Sequence, residues 1–363
     1  MATRYTTVVL QPGKNQGNAF NRTEMKKHLE HFCTMIDWAV NMYTLFGTEM
    51  GVKLIVGAEF GVFGFPSGNM RELHDKYAIE VPGEEMERIT EKCKEYNCYI
   101  SPGSVIEKAE PEISKYGVFN TYPLIGPEGV LFRYRKVQVW KGQEAILSPH
   151  DLMSTGYNIQ KNPLFPVVKT EIGNLGAMIC FDMWYPEIAR QLAANGCEIF
   201  LGAMAAMNPF GRPPQDNWLT FGRARAIENM AYGVYAFCGF DTSRLPPFPT
   251  SGGSFICDYK GILQTRTEAP TETMTAATID LDALRAHRKH SRITNTLAML
   301  RSETYDYLKK SYWRQRPELK DLEQYDMNDC TDETCDEIDR FWSEYYGEKS
   351  ECPRWRPPQW KTC

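Results

Sequence analysis

Three residues whose types could do nucleophilic chemistry stand at the ends of strand-like runs. KLIVGA, residues 53–58, ends on Glu59. LFRYR, 131–135, leads into Lys136, and NLGAMI, 174–179, leads into Cys180. A thiol attacks as its thiolate, so it needs a base to take its proton, and a carboxylate can serve. An ammonium beside them can hold the oxyanion that forms on the attacked carbonyl. In open α/β sheets functional groups gather at the carboxyl ends of strands, so these three groups converge if their strands are neighbours. Glu59 directly behind an apolar run does not fit a solvated surface charge. Lys136 taken alone also fits a basic surface edge, because Arg133, Arg135 and Lys141 surround it. Cys180 taken alone also fits an inert core thiol, the usual fate of a free cysteine.

The neighbours of Cys180 have simpler readings. Asp182 stands at a turn or helix start, where a carboxylate caps backbone N–H groups, and reads as structural. Trp140, Trp184 and Tyr185 would border a pocket beside these groups, although each alone also fits an aromatic core. Arg190 reads as a structural ion-pair partner. A thiol enzyme of the papain type would need a histidine. The six available are His28, His31, His74, His150, His287 and His290, and none has a local context that marks it as catalytic. His28 with His31, and His287 with His290, have the spacing of a shared helix face.

The elements that must position these groups alternate along the chain. Strands are expected at 6–11, 53–60, 97–107, 174–180 and over CEIFLGAM and VYAFCGF. Two more flank the turn Gly126-Pro127-Glu128-Gly129 within 118–140. A long helix is expected from a capping box at Asn21 and Glu24, with Leu29, Phe32, Ile36, Val40 and Tyr43 on its apolar face. Further helices are expected at 84–96, at 186–196 with Pro186 near the start, and at 216–233 ending on Gly233. Residues 252–261 and 273–282 read as a late strand pair. Both halves run strand, helix, strand, helix and then paired strands. This predicts one α/β domain of two stacked layers, with sheets inside and helices outside.

Composition bounds the rest. The chain has 363 residues, 42% of them hydrophobic and 24% charged, and a formal net charge of −5. It can build a core, and it has no electrostatic reason to seek nucleic acid or an anionic membrane. No apolar run reaches the roughly 18 residues of a membrane helix, and the N-terminus reads as a first strand, so the expected location is the cytoplasm. Eleven cysteines are scattered without a disulfide framework. Cys93 and Cys98, like Cys330 and Cys335, are separated by four residues, with no second pair at zinc-site spacing. No metal or cofactor is implied.

GAEFG, YRKVQVW and GAMICFDMWYPEIAR, in that order, resemble the three signature regions of the nitrilase superfamily of carbon–nitrogen hydrolases. The likeness runs from the first strand to about residue 282 and includes GRARAIENMAYGVYAF. It implies an α-β-β-α sandwich of nitrilase type and, by position, a triad of Glu59, Lys136 and Cys180. The closest resemblance is to the aliphatic amidase and formamidase branch. Trp140 follows Lys136 by four residues and Glu144 follows it by eight, YPEI follows the cysteine, and Glu351-Cys352-Pro353 closes a long extension. In that branch a glutamate at the position of Glu144 helps to hold the substrate. True nitrilases carry Cys-Trp-Glu at the nucleophile, and this chain has Cys180-Phe181-Asp182, which argues for amides. The chain departs from the branch at Phe60, where tyrosine is usual, at Lys141 and Gly142, and at Met183 and Trp184, where a Gly-Asn pair is usual.

The resemblance implies a hydrolysis in which Glu59 is the base and Lys136 and the backbone N–H of Phe181 hold the oxyanion. A thioester on Cys180 is then released by water. The candidate substrate-binding residues are Glu144, Phe60, Trp140, Phe181, Trp184 and Tyr185. N-carbamoyl or nitrile hydrolysis, and acyl transfer from the same thioester, are the alternatives. A catalytically silent binding protein would have no need of all three triad residues. The domain is expected to span 1–290. The extension, 291–363, is too charged and aromatic to form a core alone or to stay loose, and is expected to wrap its own domain or a neighbouring subunit of a homo-oligomer.

Overall fold

The computed structural model describes residues 3–13, 22–46, 50–140, 144–206, 216–240, 250–309, 322–347 and 351–354. The first half contains β1 (Arg4–Gln11), α1 (Arg22–Phe46), β2 (Val52–Val56), α2 (Met70–Lys76), α3 (Glu84–Tyr96), β3 (Tyr99–Ser101), β4 (Val105–Lys108), β5 (Val118–Gly126) and β6 (Gly129–Arg135). The second contains β7 (Val167–Thr170), β8 (Gly173–Ile179), α4 (Pro186–Ala194), β9 (Ile199–Met204), α5 (Asn217–Glu228), β10 (Tyr232–Phe237), β11 (Phe255–Cys257), β12 (Leu263–Arg266), β13 (Thr273–Asp280), α6 (Leu281–His290) and α7 (Met327–Tyr346).

The strands form two sheets. One runs β13-β1-β2-β3-β5-β4, with β6 paired to β5, and the other runs β12-β11-β10-β9-β8-β7. At the centre of each sheet lie parallel strands buried on both faces, β1, β2 and β3 in one and β8, β9 and β10 in the other. Such strands need apolar side chains on both sides, which is why LIV, AMI and IFL read as unbroken apolar runs. Tyr5, Val9, Leu54 and Val56 of the first sheet share a core with Ala177, Ile179, Leu201 and Val234 of the second. On the far side of the first sheet, Phe32 and Ile36 of α1 and Met86 and Ile89 of α3 pack on Val8, Ile55 and Ile100. Helices α4 and α5 cover the other sheet. The result is the expected α-β-β-α order, with the carboxyl ends of β2 and β8 facing each other across the inner layers.

Several boundaries differ from the sequence reading. The strand expected at 53–60 stops at Val56, and Glu59 and Phe60 lie in a tight turn, with Phe60 at φ 55°. The strand expected at 97–107 is broken by Pro102-Gly103 into β3 and β4. The helix expected to reach Gly233 ends at Glu228, because Met230 turns left-handed at φ 45° and Gly233 already belongs to β10. A side chain at Gly233 would lie 2.3 Å from the Tyr235 ring, so this glycine serves close packing and not helix termination. The late strands are not partners: β11 pairs with β10 and β12, and β13 runs antiparallel to β1 in the other sheet. The Asn21 cap, Tyr312 and Trp313 lie outside the described residues. Within those described, no helix is long and apolar enough to cross a membrane.

Part of the described extension packs on its own chain. Leu322, Tyr325 and Cys330 enter a core with Phe60, Phe119 and Ile146 of their own chain. Met70 N–H donates to Tyr325 O at 3.0 Å. Helix α7 starts from a reciprocal capping box between Asp326 and Asp329.

Candidate active site

Glu59 reaches the site on the turn after β2. Two backbone hydrogen bonds fix that turn to the β3–β4 connection: Gly57 N–H to Ser101 O at 2.8 Å and Phe60 N–H to Ser104 O at 3.1 Å. The two segments approach so closely that a Cβ on Gly103, which sits at φ +88°, would fall 1.8 Å from Ala58 O. Glycine is required there for both reasons.

Lys136 follows β6 directly, and its backbone N–H donates to Asn120 O on β5 at 2.8 Å. Side chains alternate across this strand. Arg133 and Arg135 point away from the site to Glu107 and Glu110, at 2.6 to 3.0 Å, which accounts for the basic stretch. Tyr134 and Lys136 point to the other side. The Lys136 ammonium, 1% exposed, donates to Glu59 Oε1 at 3.0 Å and to both oxygens of Glu144 at 2.9 and 2.8 Å. Those three contacts use all three of its N–H bonds.

Glu144 closes a turn on Trp140. Its Oε2 accepts the Trp140 N–H at 2.7 Å, and its own N–H donates to Trp140 O at 3.0 Å. Cys180 ends β8 in the left-handed region at φ 46° and opens a single 3-10 turn through Trp184. A non-glycine residue is strained there, and such strain clusters at functional turns. The thiol lies close enough to the Glu59 carboxylate to feel its charge.

Burial sets the electrostatics. Desolvation pushes the Glu59 pKa up, against Lys136, while Glu144 adds to the rise. Desolvation and then the Glu59 charge hold the Cys180 thiol well above its ordinary value, with Lys136 opposing. Burial works against the Lys136 ammonium, but Glu144 and Glu59 outweigh it and hold its pKa above the usual lysine value. A thiol beside a buried carboxylate and a fixed cation is the arrangement of a base-assisted nucleophile.

Asp182 caps backbone N–H groups, as its position suggested, and it joins two of the elements that carry the candidate residues. Its Oδ2 accepts Ile179 N–H at 2.9 Å and Tyr134 O–H at 2.8 Å, and its Oδ1 accepts Gln138 N–H at 2.9 Å. The turn holding Cys180 is thereby tied to the residues on either side of Lys136. Burial raises the Asp182 pKa to about 7, against Lys136 and the two backbone donors.

Sequence reasoning missed three contributors. Asn120 Nδ2 donates to Glu59 Oε1 and to Glu144 Oε1, both at 2.9 Å. Its signal was an asparagine inside VFNTYPLIG, a strand buried at every position. Ala205 N–H donates to Glu59 Oε2 at 2.9 Å, and the Cys238 thiol donates to Glu59 O at 3.0 Å. A backbone donor and a second thiol, each just past the end of β9 or β10, left no mark in the sequence.

Glu59, Lys136, Cys180 and Glu144 are thus brought together, with Trp140 held by its backbone. Phe60 is buried and packs edge-on to Phe65 at 5.3 Å. Phe60, Phe65, Leu73, Ile106, Ile146 and Met327 line a narrow cleft against Glu144. Phe181, Trp184 and Tyr185 take a different place. Phe181 packs on Trp184 and Tyr185 at 5.8 and 5.3 Å, and Trp184 packs on Phe221 and Trp218 of α5 at 4.9 and 6.1 Å. The ring of Trp184 therefore belongs to an aromatic cluster over α5, and Tyr185 joins it through Phe181. Arg190 makes no ion pair within 4 Å among the described residues, and Glu228 is the carboxylate whose charge acts on it.

A family model described as carbon-nitrogen hydrolase matches residues 27–289. The chain is 29% identical to omega-amidase NIT2 of Mus musculus over 219 residues, 57% of this chain and 71% of that protein. It is 28% identical to a formamidase of Helicobacter acinonychis (strain Sheeba) over 214 residues, 58% of this chain and 57% of that protein. Its fold is similar to that of Saccharomyces cerevisiae Nit3, a member of branch 10 of the nitrilase superfamily. The TM-score is 0.63 at 18% identity, covering 80% of this chain and 95% of that one.

Proposed function

Because the chain belongs to the carbon–nitrogen hydrolase family, we propose that it is an amidase that converts a small carboxamide to the carboxylic acid and ammonia through a thioester on Cys180. One observation carries this reading: Glu59, Lys136 and Glu144 form one buried hydrogen-bonded cluster, and the buried Cys180 lies within reach of its charges.

Glu59 takes the thiol proton as sulfur attacks the carbonyl carbon. Lys136 and the Phe181 backbone N–H hold the oxyanion. Such a donor lowers a barrier by roughly 3–4 kcal/mol. All three N–H bonds of Lys136 point to carboxylates at rest, so one must be redirected. The doubled contact with Glu144 is redundant and is the one that yields. Protonated Glu59 next delivers its proton to the leaving nitrogen. Ammonia departs, Glu59 deprotonates water, and the water cleaves the thioester. Glu144 receives the substrate N–H₂. N-carbamoyl hydrolysis calls for a cation for the substrate carboxylate, and the side chain nearest to that role in the sequence, Arg190, is not among the groups bonded to the Glu59, Lys136 and Glu144 cluster.

Ammonia release from short aliphatic amides, aromatic amides, N-carbamoyl amino acids and nitriles tests the reading. Release from an amide that is lost in Cys180→Ala supports it. Activity that survives the substitution, or that is confined to another class, overturns it. Added hydroxylamine separates acyl transfer from hydrolysis. The same reading takes a homo-oligomer as the assembled form. Trp184 and Ile227, 37% and 53% exposed beside the nucleophile turn, support it, and sedimentation at monomer mass would overturn it.

A further inference from the structure

The C-terminal extension carries a pair of thiols outside the catalytic cluster. Helix α7 turns Cys330 inward, where its thiol donates to Glu144 O at 3.4 Å. Cys335 lies five residues further along α7 and donates to Pro353 O at 3.7 Å. Residues 351–354 run back along the same helix. Cys352 N–H donates to Asp339 Oδ1 at 2.6 Å, and the Arg354 guanidinium holds Asp332 O at 2.8 Å and Asp336 Oδ1 at 2.7 Å. Asp332, Cys335, Asp336 and Asp339 form one stripe of the helix at i, i+3, i+4 and i+7.

These contacts place Cys352 beside Cys335: the Cys335 thiol meets the residue next to Cys352, and the Cys352 backbone is held one turn further along the same stripe. Cys352 has a further distinction. Of the described free cysteines, it is the one that is not buried. A thiol–disulfide exchange has to begin at a reachable sulfur and finish on a neighbouring one. Cys352 and Cys335 meet these two needs. The buried thiols of α1, α3 and the sheets offer no entry.

We propose that Cys335 and Cys352 are a thiol–disulfide site, which a small-molecule disulfide oxidises to an intrachain bridge that fastens the C-terminal segment to α7. Cys352 attacks as its thiolate on one sulfur of the reagent. The reagent S–S bond breaks, a mixed disulfide forms, and one small thiolate leaves. Cys335 then gives up its proton and attacks Sγ of Cys352, expelling the second small thiolate. The two cysteine protons end on the two released thiols, and the two electrons lost by the cysteines reduce the reagent. The bridge closes on the helix that packs against Glu144, so it joins the tail to the wall of the candidate site.

The full-length protein is incubated with oxidised glutathione, capped with iodoacetamide and digested with trypsin. The expected product joins peptide 321–340 to peptide 350–354 and dominates over any other cross-link. Peptide 321–340 holds both Cys330 and Cys335. The joined product must therefore survive in Cys330→Ser and vanish in Cys335→Ser, with each variant checked for native circular dichroism. Bridging through Cys330, glutathione left on Cys352 without ring closure, or no mass change would each overturn the proposal.

Discussion

Replacing Asp182 by asparagine probes the tie between the nucleophile turn and the lysine strand. The carboxylate accepts three hydrogen bonds, from Ile179 N–H, Tyr134 O–H and Gln138 N–H. An amide of the same shape has one oxygen. Placed toward Gln138, it leaves the Ile179 N–H facing an N–H₂; placed the other way, it strands Gln138. One buried backbone donor is orphaned in either case, at a cost of about 1–3 kcal/mol. The wild-type carboxyl adds a pH dependence of its own. Its pKa is raised to about 7 in the fold, from an ordinary value near 3.8. The folded state therefore holds more protons than the unfolded state between these values, and wild-type stability falls as pH rises through that window. The slope approaches about 1.4 kcal/mol per pH unit. The Asp182→Asn variant lacks this titration. Urea denaturation at pH 5 and pH 7 should show the substitution to be costly at pH 5 and less costly at pH 7, by about 2 kcal/mol. Turnover should fall about tenfold or more at both, since the orphaned donor adjoins Cys180 or Lys136. A stability difference that is the same at both pH values would refute the assigned titration. Unchanged turnover would refute the tie.

Asn120→Ala removes two hydrogen bonds to carboxylates and should cut kcat/KM about 10- to 100-fold while leaving the fold cooperative, as read by steady-state kinetics beside thermal melting; activity within twofold of wild type would mean that Lys136 orders both glutamates alone. Gly103→Ala sets a Cβ against Ala58 O in a left-handed backbone and should destabilise by about 3 kcal/mol or more, with the Glu59 turn displaced; an unchanged melting temperature would contradict the close approach. Glu59 must be ionised to act as base and burial raises its pKa, so the acid limb of kcat/KM should lie above the ordinary glutamate range near about 4.3, activity falling as pH drops through it. A limb at or below that range, or one that persists in Glu59→Gln, would assign it to another group.

What the sequence by itself determined is the candidate groups and the layering. Glu59 and Cys180 each follow an apolar run, and apolar runs of that length are strands buried on both faces in a parallel sheet, whereas Lys136 follows the antiparallel strand β6. Their carboxyl ends had to converge wherever the sheets met. Asp182 was legible as a backbone cap from its position just after a strand end. Tertiary structure alone decided which groups complete the cluster. Asn120, Ala205 N–H and Cys238 arrive from β5 and from the ends of β9 and β10, and a hydrogen bond between distant strands leaves no local pattern. It also sent Trp184 to the rings of α5, because an aromatic side chain on a tight turn can face either surface of it. The strand at 53–60 stopped early for a related reason. Its propensity continues to Phe60, but contacts to Ser101 and Ser104 bend the backbone there. Helix α7 was hidden for another: its charged sequence carries few apolar positions, and Leu322, Tyr325 and Cys330 find their core on a surface laid down by Phe60, Phe119 and Ile146, far earlier in the chain.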